Sequence, residues 1–218
     1  MAEPRRRLAG PRSDTGVSLV EMLVVMMLFS GIVVVTYAVL ATVQNQTADT
    51  LAKSDDAAIA RLGMAQIDRQ VRSGNVLYSP ADEVATAGCT AVTVAPSVVP
   101  NAGNCMRVYT QANGLERCVQ WQTLGGRLRS RSWSPAWQTD GLVSTWQTVA
   151  YHVVNPSAIP PFVLQGSSTS YGARLVDVRL QVQSPGVRGP ATQVVSSLSG
   201  RNTQYGYDPG VCSPVPAA

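Results

Sequence analysis

Histidine, phenylalanine and charge are scarce in this chain of 218 residues, which has one histidine, two phenylalanines and 14% charged side chains. With His152 as the only imidazole and no Cys-x-x-Cys pair, the chain lacks the ligand spacing of a structural zinc site. It also lacks the glycine-rich loop ending in Gly-Lys-Ser or Gly-Lys-Thr that holds nucleotide phosphates. We therefore expect no metal and no cofactor.

Candidate catalytic groups are equally few. A serine–histidine–aspartate triad would have to use His152, which lies in an apparent strand, where a histidine is more often a packing or surface residue. The pair Asp55-Asp56 lies in a predicted helix, where adjacent side chains point apart. The pair Asp82-Glu83 lies in a predicted loop, where calcium binding is an alternative. The sequence thus predicts a protein that is not an enzyme.

Proline is absent from Val17 to Ser73, a stretch of 57 residues. Its first part, Met22 to Val43, has no charged residue and is long enough to span a bilayer. Its second part carries apolar residues at helical spacing: Leu51, Ile59, Leu62, Ile67 and Val71. This pattern predicts one long helix, or a helix bent near residues 44–47, that ends at Ser73-Gly74-Asn75.

Positive charge is concentrated ahead of the apolar run, at Arg5, Arg6, Arg7 and Arg12. By the positive-inside rule, these arginines keep the N-terminus cytoplasmic and direct the remainder outward. Without residues 1–16 the net charge falls from +4 to +2, with 13 basic and 11 acidic residues. Charge alone therefore gives no argument for nucleic-acid binding, which stays an open alternative.

The junction between the basic leader and the apolar run reads Gly16-Val17-Ser18-Leu19-Val20-Glu21. It resembles the type IV prepilin signal, in which a peptidase cuts after the glycine and the new N-terminal residue is methylated. The resemblance implies cleavage between Gly16 and Val17, and an assembly role for Glu21 as the fifth mature residue. The family usually has Phe or Met and then Thr where this chain has Val17 and Ser18.

Two other kinds of N-terminal segment account for fewer of these features. A secretory signal has a shorter apolar region, followed by a small-residue cleavage site that is missing here. An uncleaved anchor explains the length of the run but not Glu21, because a charge in a membrane segment costs about 2.5 kcal/mol or more. The prepilin interpretation accounts for both features.

Two further segments resemble the larger minor pilins and the J-type minor pseudopilins. One is the helical segment 59–76 with its core Gln66 to Arg72, and the other is Val194 to Asn202, which ends in Arg-Asn. The resemblance implies a structural minor pilin of a type IV or competence-type pilus. A type II secretion minor pseudopilin is the first alternative, and an anchored extracytoplasmic binding module is the second.

Beyond the helix the sequence favours β-structure. Strands are predicted at Met106 to Gln111, Thr145 to Val154, Ala173 to Gln183 and Thr192 to Leu198. A hairpin is predicted from Arg117 to Thr123 and Arg127 to Trp133 around Gly125-Gly126. The predicted fold class is therefore α+β, a long N-terminal helix packed on an antiparallel sheet. This is the arrangement of pilins and pseudopilins.

The predicted boundaries divide the chain into five parts. These are a leader (1–16), a transmembrane and assembly helix (17–43), an amphipathic continuation (44–74), an extracytoplasmic β domain (75–205) and a tail rich in proline and glycine (206–218). We expect the tail to be loosely ordered apart from Cys212.

All four cysteines lie beyond the apolar run, where an oxidising compartment favours disulfides. Four cysteines allow three pairings. We favour Cys89 with Cys105, because they are close in sequence, and Cys118 with Cys212, because that bond would tether the tail.

Four tryptophans at positions 121, 133, 137 and 146 accompany Arg127, Arg129 and Arg131. Aromatic rings interleaved with arginines stack on single-stranded nucleic acid or on glycans. We favour the alternative that the rings fill a core against the helix and the arginines form the solvated face of a strand.

The expected location is a single-pass cytoplasmic (inner) membrane protein with its C-terminal domain outside, and a filament or its tip after assembly. The resemblance implies four partners: prepilin peptidase, other pilin or pseudopilin subunits, an inner-membrane assembly platform, and membrane lipid before assembly.

Overall fold

The computed structural model describes residues 16–92, 101–166, 174–200 and 206–217. The leader arginines, Arg201 and Asn202 lie outside the described residues. The chain divides into two compact units, residues up to Ala48 and residues from Asp49 onward. The order of helices and strands is α1 (Leu19–Arg72), β1 (Gly74–Leu77), β2 (Ala102–Gly103), β3 (Cys105–Thr110), β4 (Arg117–Leu124), β5 (Arg127–Trp133), α2 (Trp137–Asp140), β6 (Gln147–Tyr151), β7 (Phe162–Leu164), β8 (Leu175–Val182) and β9 (Thr192–Ser199). A short 3₁₀ helix, Pro80–Ala85, follows β1.

The part of α1 in the second unit packs on the sheets through one face. Its buried residues recur every three or four positions: Asp56, Ala60, Gly63, Met64, Ile67 and Val71. Gly63 lets the helix approach β5, because a Cβ atom there would lie 2.9 Å from the Cδ2 atom of Leu128. A larger residue at this position would therefore require the Leu128 side chain to move.

The strands form two antiparallel sheets, as the α+β prediction requires. The five-stranded sheet has the order β1-β3-β4-β5-β6, and the four-stranded sheet has the order β2-β7-β8-β9. An isolated bridge between Val153 and Val182 links the chain after β6 to β8. One hydrophobic core contains the buried helix residues and side chains from both sheets, among them Met106, Val108, Trp121, Leu128, Phe162, Val178 and Leu180.

Most predicted elements are confirmed, and the structure adds three strands and a helix. The long helix, the β4–β5 hairpin, β3, β6, β8 and β9 match their predicted positions within a few residues. Four elements were not predicted from the sequence: β1, which follows the helix after one residue, the short strands β2 and β7, and α2, which begins at Trp137. These elements span two to four residues, too few to show a hydrophobic period.

Candidate functional site

The first candidate site is the apolar beginning of α1. The helix starts at Leu19, so Gly16 and Val17 precede it, and Glu21 lies in its first turn. A carboxylate in the first turn interacts favourably with the helix dipole. The large apolar side chains from Val17 to Val43 are all exposed, with exposed fractions of 48% to 78%.

With exposure on this scale, the apolar segment is left uncovered by the residues that the structure describes. α1 is the one helix among the described residues that is long and apolar enough to cross a membrane, judged by length and composition. A contiguous apolar surface of this size marks a membrane or protein interaction site.

The second site is the face of the five-stranded sheet that does not contact the helix. Strand register aligns Arg107, Gln120 and Arg131 in one row across β3, β4 and β5. All three side chains are buried, at 6%, 0% and 4% exposure. The prediction that Arg131 lies on a solvated face is therefore wrong, while Arg127 at the end of the same strand is exposed.

Glu83 from the 3₁₀ helix lies over this row and completes a buried hydrogen-bond network. Its carboxylate accepts from the Nε atom of Arg107 at 3.0 Å and from the Nε2 atom of Gln120 at 2.7 Å. The Oε1 atom of Gln120 in turn accepts from the Nε atom of Arg131 at 3.0 Å. Burial raises the pKa of Glu83 above its ordinary value, against the opposing effect of Arg107.

Asp82, the neighbour of Glu83, is exposed. The pair therefore points in two directions, and Glu83 is engaged by Arg107 and Gln120. Among the residues that the structure describes, no group of three or more His, Cys, Asp and Glu side chains is placed to hold a metal ion. The alternative of a calcium ligand at this pair thus has no support from its surroundings.

The C-terminal tail covers another part of this face. Arg107 donates from Nη1 to the carbonyl oxygen of Cys212 at 2.7 Å. Arg131 donates to the carbonyl oxygens of Pro216 at 2.9 Å and Ala217 at 3.2 Å. The expectation of a loosely ordered tail is therefore wrong, because buried guanidinium groups bind its backbone.

Two disulfides join these covering segments to the sheet. Cys89 bonds to Cys105 on β3, and Cys118 on β4 bonds to Cys212 in the tail. Both pairs are those favoured by the sequence analysis. Each bond attaches one covering segment, the loop after the 3₁₀ helix or the tail, to a central strand.

The tryptophans divide between packing and surface contacts. Trp121 packs in the main core and Trp133 in a smaller cluster with Tyr109, Cys118 and Cys212, both at 2% exposure. The indole N–H of Trp137 donates to the carbonyl oxygen of Pro214 at 2.9 Å. Arg129 and Arg131 each lie 4.7 Å from the centre of the Trp146 ring. The prediction that the rings fill a core against the helix is therefore confirmed for Trp121 only, because the other three tryptophans make their contacts outside that core.

His152 lies close to a serine and an aspartate, but in the wrong order for a catalytic triad. Ser184 donates from Oγ to Asp56 at 2.6 Å, and its Oγ atom lies 3.1 Å from the Nδ1 atom of His152. The serine therefore lies between the other two groups, whereas a triad needs histidine in the middle. Asp56 also accepts from the backbone N–H of Ser184, which ties α1 to the turn after β8.

Neither a family model nor a curated protein matches this chain. The features that bear on function are therefore the N-terminal junction, the exposed apolar helix and the α+β domain.

Proposed function

We propose that this protein is a structural subunit of a type IV pilin-like filament, a minor pilin that is processed by a prepilin peptidase and assembled through α1. One observation carries the proposal. A helix with an apolar, exposed first part carries one carboxylate in its first turn, five residues after Gly16, and continues into a disulfide-bonded α+β domain.

The mechanism follows from the solvent preference of each part. The apolar segment resides in lipid before assembly, with the arginine-rich leader in the cytoplasm. During assembly it leaves the lipid and packs against the helices of neighbouring subunits. Glu21 then neutralises the free N-terminal amine of an adjacent subunit, since a charge pair desolvated together costs less than either charge alone. This pairing sets the axial register.

Processing is tested by the N-terminus of the protein extracted from its native membrane. The intact mass and N-terminal sequencing should show a start at Val17, with or without a methyl group. Gly16→Leu should leave the precursor uncut, because a branched side chain does not fit a site for glycine. Gly31→Ala is the control, since a Cβ atom there meets no atom within 4 Å. An unprocessed wild-type chain would refute the proposal.

Assembly is tested with Glu21→Ala and the control Asp49→Ala, which removes another carboxylate from the same helix. Removing Glu21 makes membrane insertion easier, so a defect in assembly must arise from subunit contacts. We expect membrane levels to stay normal and recovery in sheared filaments to fall at least ten-fold for Glu21→Ala alone. Equal recovery of both variants would contradict the register role.

A role in type II secretion is the second candidate, because the helical element Ile67 to Arg72 resembles the J-type minor pseudopilins as well as the larger minor pilins. In this element Ile67 and Val71 are buried, and Asp68 pairs with Arg72 at 2.7 Å. Deletion of the chain separates the two functions. Loss of surface pili with normal protein secretion supports the pilus, and the reverse supports the secretion system.

A further inference from the structure

A polar groove of about 450 Å³ lies in the second unit, between α1 and strands β4 to β6. One wall is a flank of the helix with Gln66, Arg69 and Gln70, and the other is formed by Ser130, Ser132 and Gln147. Its volume falls in the range of small-molecule sites.

The groove is positively charged. Arg69 and Arg117, both exposed, line it, and no carboxylate does. The neighbouring acids are engaged elsewhere, since Asp68 pairs with Arg72 and Glu116 accepts from Gln111. Within the described ranges neither Arg69 nor Arg117 forms an ion pair. Arg131 also borders the groove, but its guanidinium binds Gln120 and the tail.

Neutral hydrogen-bonding groups surround the two arginines. In the part of the chain that the structure describes, the side chains of Gln66, Gln70, Ser130 and Ser132 make no hydrogen bond, and all four face the groove. The groove thus combines two guanidinium groups with side-chain amides and hydroxyls that have no hydrogen-bond partner among the described residues. A ligand that satisfies it carries an anionic group and several hydroxyl oxygens.

The residue at the floor of the groove helps to decide which class of ligand fits. Trp121 lines it at 2% exposure, so its ring offers no surface on which a nucleobase could stack. Its buried indole N–H has no acceptor among the described residues. Inorganic phosphate would use the arginines but leave the amides and hydroxyls unused.

We propose that the groove binds an acidic sugar, a uronate unit of an oligosaccharide, with its carboxylate on Arg69 and Arg117 and its hydroxyls on the amides and serines. Arginine binds carboxylates through two parallel hydrogen bonds, which orients the sugar ring. This binding site is independent of filament assembly, so its test stands whatever the outcome for Gly16 and Glu21.

The test uses the full chain in detergent micelles, titrated with trigalacturonate by isothermal calorimetry. We expect saturable binding of one trisaccharide per chain. The double variant R69Q/R117Q should weaken it by roughly ten-fold or more, as the loss of charge-assisted hydrogen bonds implies. R127Q/R179Q, which neutralises two exposed arginines outside the groove, is the matched control. An unchanged thermal midpoint in both variants shows that the fold is intact.

Competition experiments identify the class of ligand. Neutral trigalactoside at the same concentration should not bind, and inorganic phosphate and oligo-dT should not displace trigalacturonate. Ser130→Ala should weaken uronate binding by roughly three-fold through the loss of one hydroxyl contact. Absence of uronate binding, equal effects of the two double variants, or displacement by phosphate or oligo-dT would each overturn the proposal.

Discussion

The two faces of the five-stranded sheet are built from alternate residues of the same strands, yet the balance of interactions that stabilises each face is different. On the helix face, Met106, Val108 and Trp121 pack against apolar residues of α1. On the opposite face, Arg107, Gln120 and Arg131 form a polar row beneath the 3₁₀ helix and the tail. Both disulfides attach to this second face.

The difference reflects what covers each face. A helix with a continuous apolar stripe stabilises one face by removing apolar surface from water. The other face is covered by a short loop and the tail, which add only a smaller apolar cluster around Tyr109, Trp133 and Cys212. On the second face, cross-links and buried hydrogen bonds therefore add to a small apolar cluster, whereas the first face depends mainly on shape and apolar area.

The largest expected loss of stability follows removal of the disulfide that holds the tail on the second face. The Cys118–Cys212 bond closes a loop of 94 residues and Cys89–Cys105 one of 16. In the chain-entropy model, Cys118→Ala/Cys212→Ala should lower the free energy of unfolding by about 4.5 kcal/mol and Cys89→Ala/Cys105→Ala by about 3 kcal/mol. Chemical denaturation of the oxidised protein measures both. Equal losses would contradict a role set by loop length.

Removing the buried cation of the same face should cost slightly less. Arg107→Met leaves the Glu83 carboxylate, whose side chain is fully buried, without its charged partner. Breaking a buried pair in this way costs about 3–5 kcal/mol. Denaturant unfolding should show that Arg107→Met/Glu83→Gln recovers part of the loss. Arg127→Met, at an exposed position of β5, should have little effect.

Truncating an apolar contact tests the helix face. Ile67 is fully buried against the sheet, and Ile67→Ala should lower the free energy of unfolding by about 3 kcal/mol through a cavity. Leu51 on the same helix is 63% exposed, so Leu51→Ala should change it by less than about 0.5 kcal/mol. Thermal unfolding of the two variants gives the comparison. Similar losses would show that the helix is not held by this stripe.

The smallest expected effect is a pH dependence confined to the second face. Burial raises the pKa of Glu83 above its ordinary value of 4.5, although Arg107 and Gln120 oppose the shift. The folded state therefore binds the proton more tightly, so this contribution to stability is full below pH 4.5 and declines as pH rises through the raised pKa.

Glu83→Gln removes that titration and should flatten the profile of thermal midpoint against pH above 4.5. The charged groups that act on Glu83 are Arg107 and Asp82, and Glu83 in turn acts on Arg131. Asp140→Asn, at a fully exposed carboxyl outside the network, should leave the wild-type slope in place. Identical slopes in all three proteins would show that Glu83 does not control the profile.

The sequence predicted the elements that have a long, regular period. α1, the β4–β5 hairpin, β8 and β9 each repeat apolar residues over enough positions to define a face. β1 and β7 have four and three residues, so neither provides such a repeat.

The sequence could not show which distant segments of the chain cover each face of the sheet. The alternation of residues along β5 correctly predicted that Arg127, Arg129 and Arg131 share one face. It could not predict the burial of Arg131, because the carbonyl group that its guanidinium binds belongs to Pro216, 85 residues later. The groove likewise combines α1 with three strands, and its residues share no local motif. The Gly16–Glu21 junction, by contrast, can be recognised from the sequence because the whole motif lies in six consecutive residues.

The tail contacts also impose an order on biosynthesis. Residues 212–217, which bind Arg107 and Arg131, leave the ribosome only after every strand of both sheets. The helix face can form earlier, since Leu198 is the last residue of its core. A chain cut between residues 200 and 212 would keep the helix face and expose two arginines.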